Sequence, residues 1–119
     1  MAEGYLTTHV LDTARGCPAE GIHIELFRIT DSTRTSIAQA TTNADGRTDS
    51  PILPKGKLSA GTYELVFLTG NYLSNAGLTT SDIKFLDEIP IRFGIDDDNL
   101  HYHVPLLLSP YGYSTYRGS

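Results

Sequence analysis

His101-Tyr102-His103-Val104-Pro105-Leu106-Leu107-Leu108 is the stretch on which the fold turns. Alternate residues of an extended strand share a face. Tyr102, Val104, Leu106 and Leu108 therefore form one apolar face, and His101, His103, Pro105 and Leu107 point the other way. An apolar set with period two marks a strand that covers a core on one side. The start of the chain repeats the pattern: Leu6, Thr8 and Val10 form the inner set, and Tyr5, Thr7, His9 and Leu11 the outer. Ile22, Ile24 and Leu26 alternate in the same way with His23, Glu25 and Phe27. Thr62 to Leu68 and Ile89 to Ile95 read as further strands, Ser36 to Thr42 as a weaker one, and Gly112 to Arg117 as the last. Turn-forming clusters separate them, among them Arg15-Gly16-Cys17-Pro18, Asp31-Ser32-Thr33, Asn43-Ala44-Asp45-Gly46 and Pro54-Lys55-Gly56. Asn71 to Gly77 departs from the alternation and reads as a short helix ending near Gly77, followed by a polar loop over Leu78 to Lys84. Seven or eight short strands in 119 residues predict an all-β, two-sheet β-sandwich with one short helix, as a single domain over residues 1–119.

Composition narrows the function. Hydrophobic residues make up 39% of the chain and charged residues 19%, enough apolar surface to fold around a core. A net charge of −5 argues against nucleic-acid binding, which needs a basic face against the phosphates. The single cysteine, Cys17, permits neither an intrachain disulfide nor a cysteine-based zinc site, and reads as structural. Met1 to Leu11 has no basic segment followed by an apolar one, and Arg117-Gly118-Ser119 is not a peroxisomal address. No stretch approaches the roughly 18 apolar residues of a membrane span. A cytoplasmic location with no membrane partner is the expectation.

The outer faces carry the candidate chemistry. Tyr5, Leu11, Pro105 and Leu107 share them with His9, His101 and His103, a mixture that predicts cover by another subunit. His101 and His103 on one face can be metal ligands, a base with its partner, or two polar residues at an edge. Spacing leaves these open. His23 shares its face with Glu25 and reads as exposed. Arg47 follows a turn in which Gly46 supplies a positive φ. A guanidinium held there can bind a planar ureide or carboxylate through two parallel hydrogen bonds. Asp96-Asp97-Asp98-Asn99 lacks the glycine and distal glutamate of a calcium loop and reads as a solvated turn. Tyr111, Tyr113 and Tyr116 predict a docked tail, with the Tyr116 ring placed to cover a flat ligand.

Two long motifs carry a resemblance. Leu6-Thr7-Thr8-His9-Val10-Leu11-Asp12 with Gly16-Cys17-Pro18-Ala19 is similar to the N-terminal motif of the transthyretin-related proteins. His101 through Pro110, running on to Tyr116-Arg117-Gly118-Ser119, resembles their C-terminal motif. His103-Val104-Pro105 and the terminal tetrapeptide resemble the enzyme branch, the hydrolases of 5-hydroxyisourate, rather than the thyroid-hormone carriers. The resemblance implies a transthyretin-like sandwich assembled as a homotetramer, with sites at the dimer–dimer interface. It implies hydrolytic opening of the six-membered ring of 5-hydroxyisourate in urate breakdown, giving 2-oxo-4-hydroxy-4-carboxy-5-ureidoimidazoline. It implies neither a metal nor an organic cofactor. Its functional residues fall on His9, Arg47, His103 and Tyr116 to Ser119.

Breaking a cyclic acyl–nitrogen bond with water requires a base, a clamp and stabilisation of a tetrahedral oxyanion. The expectation is that His9 and His103 handle the water and its proton, with the choice of base undecided. Arg47 holds the ureide oxygens, Tyr116 packs on the substrate with Arg117 and Gly118 beside it, and the Ser119 hydroxyl hydrogen-bonds water or substrate. No Gly-x-Ser-x-Gly elbow supports a nucleophilic serine. The competing readings are a hormone carrier, a metal-dependent hydrolase using His101 and His103, and a structural sandwich module.

Overall fold

A computed structural model describes residues 3–118. The first strand is interrupted: β1 (Tyr5–Thr7) and β2 (Val10–Asp12) stand where one strand is expected, as do β8 (His101–His103) and β9 (Leu106–Ser109). The break falls at Thr8–His9 on one strand and at Val104–Pro105 on the other. The pairing itself does not slip. Tyr5 lies opposite His101 and Val10 opposite Leu106, both in parallel, so one register runs through the gap. Val104 N–H donates to Thr7 O at 3.0 Å, Leu106 N–H donates to His9 O at 2.9 Å, and the buried Thr8 hydroxyl donates to Val104 O at 2.7 Å. The burial alternation continues unbroken from Tyr5 to Asp12.

β9 also pairs with β10 (Gly112–Ser114), and β2 with β3 (Cys17–Pro18), which completes the first sheet in the order β10-β9-β2-β3. The second sheet has the order β5-β4-β6-β7, from β4 (His23–Thr30), β5 (Thr33–Thr41), β6 (Gly61–Leu68) and β7 (Glu88–Ile95). Strand β5 starts earlier than the pattern suggests, because Asp31 (φ 48°) and Ser32 (φ 69°) make a two-residue turn that pairs Thr30 with Thr33. The last strand stops at Ser114, short of the expected Arg117. The core lies between the sheets. Leu6, Val10, Tyr102, Val104, Leu106 and Leu108 face Ile24, Leu26, Tyr63, Leu65, Phe67, Ile89 and Ile91.

The helix α1 (Gly70–Asn75) starts one residue and ends two residues earlier than the sequence suggests. Gly77, at φ +72°, ends it: Leu78 N–H returns to Leu73 O and Gly77 N–H to Ser74 O, both at 3.0 Å, the two bonds of a Schellman closure. Tyr72 ties the helix to the first sheet. Its hydroxyl donates to the buried Asp12 carboxylate at 2.6 Å, and Arg15 donates to both, to Asp12 at 3.0 Å and to Tyr72 at 2.9 Å. Burial pushes the Asp12 carboxyl up, but these hydrogen bonds outweigh it and hold the group below the ordinary carboxylate range. Tyr72 is pushed up to about 12 by burial and by its bond to Asp12. Among the described residues no helix is long and apolar enough to cross a membrane.

Candidate active site

The outer face of the interrupted strand pair assembles the site. Parallel pairing puts Thr7 opposite His103 and Tyr5 opposite His101, all four half-buried. Thr7 Oγ1 lies 2.6 Å from His101 Nε2 and 2.7 Å from His103 Nδ1. The other nitrogen of His103, Nε2, lies 2.8 Å from His9 Nδ1. Four side chains thus form one hydrogen-bonded row, His101–Thr7–His103–His9. Ring stacking supports it at both ends: Tyr5 lies 4.1 Å from His101 at 7°, and His9 lies 5.0 Å from His103 at 18°. Both nitrogens of His103 are occupied within the row. Among the described residues His9 Nε2 has no hydrogen-bond partner, so it is the nitrogen open to a water or a substrate.

Arg47 comes from the opposite side. Asn43 Oδ1 accepts the backbone N–H of Asp45 at 2.9 Å and of Arg47 at 3.2 Å, which rigidifies the turn. Gly46 has φ +73°, and a Cβ there would meet Val10 O at 2.5 Å. Only glycine fits that approach, which lets Val10 N–H donate to Gly46 O at 2.8 Å and sets Arg47 opposite His9. The Arg47 side chain is exposed and has no ion-pair partner among the described residues. Its charge reaches the imidazoles. Burial and then Arg47 push His9 below its ordinary value. Burial, then His9, Arg47 and His101, push His103 down to about 4. At neutral pH both rings are therefore neutral, the form that has a free lone pair for a proton.

The tail meets the row at Gly118. Its N–H donates to His103 O at 2.6 Å, and its carbonyl accepts the His103 N–H at 3.3 Å. A Cβ on Gly118 would lie 3.2 Å from both Cβ and Cδ2 of His103. Tyr116 and Arg117 are not brought to the imidazoles within this chain. They line a pocket of about 210 Å³ with Tyr102 and Val104, the residues of opposite parity, and the Arg117 guanidinium lies 4.3 Å from the centre of the Tyr102 ring. Ser119 lies outside the described residues.

The remaining candidates lie apart from the row. His23 is in the second sheet, against Thr41. Asp96 and Asp97 are spent on local hydrogen bonds, Asp96 to the Tyr102 hydroxyl and Asp97 to the Asn99 N–H. Among the described residues no three His, Cys, Asp or Glu side chains are disposed to hold a metal ion. His101 Nε2 and His103 Nδ1 both turn to the same hydroxyl instead. Thr7 is the member that sequence reasoning missed. Parity places it on the histidine face, but nothing short of the register with His103 sets it between two imidazoles.

Comparison with known proteins agrees with this architecture. The model of the HIUase/Transthyretin family matches residues 6–118. The 5-hydroxyisourate hydrolase 2 of Rhizobium meliloti (strain 1021) is 56% identical over 116 residues, which cover 98% of this chain and 97% of that protein. The structure of Klebsiella pneumoniae 5-hydroxyisourate hydrolase superimposes with a TM-score of 0.79 at 37% identity, covering 98% of this chain and 99% of that one. The crystal structure of an (S)-allantoin synthase matches with a TM-score of 0.92 at 50% identity; the match covers 99% of this chain but only 44% of the synthase. On the family match and the identity to the Rhizobium protein, this chain belongs to the HIUase/Transthyretin family.

Proposed function

We propose that this chain is a 5-hydroxyisourate hydrolase and that the His9–His103 pair with Arg47 is its catalytic centre. The single observation that carries the reading is the 2.8 Å contact between His9 Nδ1 and His103 Nε2 beside a guanidinium with no ion-pair partner among the described residues. The identity to a protein named for this reaction supports it. A carrier of apolar hormones needs mostly apolar walls, and this face presents three imidazoles and an arginine.

In the reaction, His9 Nε2 takes a proton from water as the oxygen attacks the ring carbonyl. The carbonyl becomes a tetrahedral oxyanion, which Arg47 stabilises through its N–H groups. Collapse breaks the carbon–nitrogen bond, and His9 Nε2 returns the proton to the departing nitrogen. His103 holds the His9 ring in place. Gly118 anchors the tail at His103, with Tyr116 and Arg117 seating it and Ser119 supplying a hydroxyl to water or substrate. The half-buried Leu11 and Leu107 beside the site support cover by further copies, as a homotetramer. The lone Cys17 fits a reducing, cytoplasmic setting.

The test is the ultraviolet decay of 5-hydroxyisourate generated in situ from urate. His9→Ala, His103→Ala and Arg47→Ala each lose at least about a hundredfold in turnover, with an unchanged circular dichroism spectrum. Near-native turnover in all three variants would overturn the reading.

A further inference from the structure

We infer that Thr7 and His101 are positioning residues for this hydrolysis: the Thr7 hydroxyl, held between two imidazoles, sets the tautomers of His103 and His9 and passes charge from the site to His101. The inference rests on the reading of His9 as the base and extends it to two residues behind the catalytic pair.

The row has three links: His101 Nε2 to Thr7 Oγ1 at 2.6 Å, Thr7 Oγ1 to His103 Nδ1 at 2.7 Å, and His103 Nε2 to His9 Nδ1 at 2.8 Å. A hydroxyl has one hydrogen, and a neutral imidazole has one N–H. Filling each link with one hydrogen forces all three to point the same way. With the row directed at His101, His9 Nδ1–H donates to His103, His103 Nδ1–H to Thr7, and Thr7 O–H to His101 Nε2. His9 Nε2 is then bare and able to act as a base. With the row reversed, His9 Nε2 carries the hydrogen and can act only as an acid. Hydrolysis needs the first state and then the second, at the same atom.

One concerted shift connects them. A proton leaves water for His9 Nε2. The His9 Nδ1 hydrogen passes to His103 Nε2, the His103 Nδ1 hydrogen to Thr7 Oγ1, and the Thr7 hydrogen to His101 Nε2. One proton has entered and one positive charge stands on His101; no other atom changes. When the leaving nitrogen takes its proton from His9 Nε2, every link reverts. The charge moves away from Arg47, which opposes it at His9 and His103. At the far end the His101 ring lies flat on Tyr5, 4.1 Å away, and an aromatic face favours a cation. Lys55, with its ammonium 5.7 Å from the centre of the Tyr5 ring, is the charge that opposes this end.

Thr7→Val keeps the branched shape and removes the hydroxyl, whereas Thr7→Ser keeps the hydroxyl. The expected result is that Thr7→Val lowers kcat by about ten- to a hundredfold with KM within about twofold, and that Thr7→Ser recovers most of the loss. His101→Phe, which keeps a ring on Tyr5 without a nitrogen, shows the same kcat loss and covers a Thr7→Val chain that fails to fold. The imidazole 15N shifts of His103 report one dominant tautomer in the native protein and in Thr7→Ser, and a mixture in Thr7→Val. Native kcat in Thr7→Val and His101→Phe overturns the inference, as does an equal loss in Ser and Val, or unchanged 15N shifts in Val. If Thr7→Val is fully active while His9→Ala is not, only this inference fails. If His9→Ala itself is active, the base assignment fails, and the 15N shifts still decide whether Thr7 sets the tautomers.

Discussion

His9 and His103 are 94 residues apart, yet Nδ1 of the first lies 2.8 Å from Nε2 of the second. The contact exists because two parallel strands keep one register on both sides of Pro105. Val104 and Leu106, on either side of the proline, both donate to the facing strand, so the strands do not shift and the imidazoles stay on a common face.

The pair titrates below ordinary histidines. In an NMR titration His9 titrates below 6.5, and His103 lower still, toward about 4. Arg47→Gln removes a charge that opposes protonation and moves both upward. The sign for stability follows: an unfolded imidazole takes up a proton near 6.5 and the folded ones only below it, so this contribution to stability is intact above pH 6.5 and falls as pH drops toward 4. Unshifted titration of both residues would contradict the burial and charge argument.

Gly118 is where the tail touches His103. Gly118→Ala pushes a methyl group to 3.2 Å from two His103 carbons, and a ring bonded through both nitrogens cannot yield without losing a bond. The expected outcome is a kcat loss of about tenfold or more, since small misplacements of reacting groups are costly, with a melting temperature near native. A fully active alanine variant would show that the ring tolerates the shift.

Tyr72→Phe removes the hydroxyl's bond to the buried Asp12 carboxylate and the bond it accepts from Arg15; the bond to the carboxylate alone costs roughly 1.5–3 kcal/mol. Urea denaturation at fixed protein concentration measures it, and turnover per folded molecule stays native, because Asp12 is buried on the face of its strand opposite to His9 and Tyr72 reaches it from the helix. A loss confined to turnover would place this network in the site instead.

Ser32→Gly relieves a left-handed residue in the turn between β4 and β5. A non-glycine residue there costs roughly 1–2 kcal/mol, part of which is offset by the greater unfolded freedom of glycine. The expected net gain is about 0.5–1 kcal/mol, seen as a higher melting temperature with unchanged kinetics. A lower melting temperature would mean that Ser32 contributes more than its conformation costs.

Much of the protein was legible in one dimension. Period-two alternation assigned Leu6, Val10, Tyr102, Leu106 and Leu108 to the core and turned His9, His101 and His103 outward, because side-chain direction in a strand is a matter of counting. The turn at Asn43–Arg47 was legible for the same local reason: glycine and asparagine chemistry acts within a few residues. What counting could not supply was register, since alternation says which face a residue takes but not which residue stands opposite. Only the packed sheet decided that Thr7 meets His103, that the hydroxyl bridges two imidazoles, that Arg47 arrives beside His9, and that Arg117 lies on Tyr102 instead of the histidines. Those contacts join segments far apart in the chain, and the energy that selects them comes from burying both sheets at once.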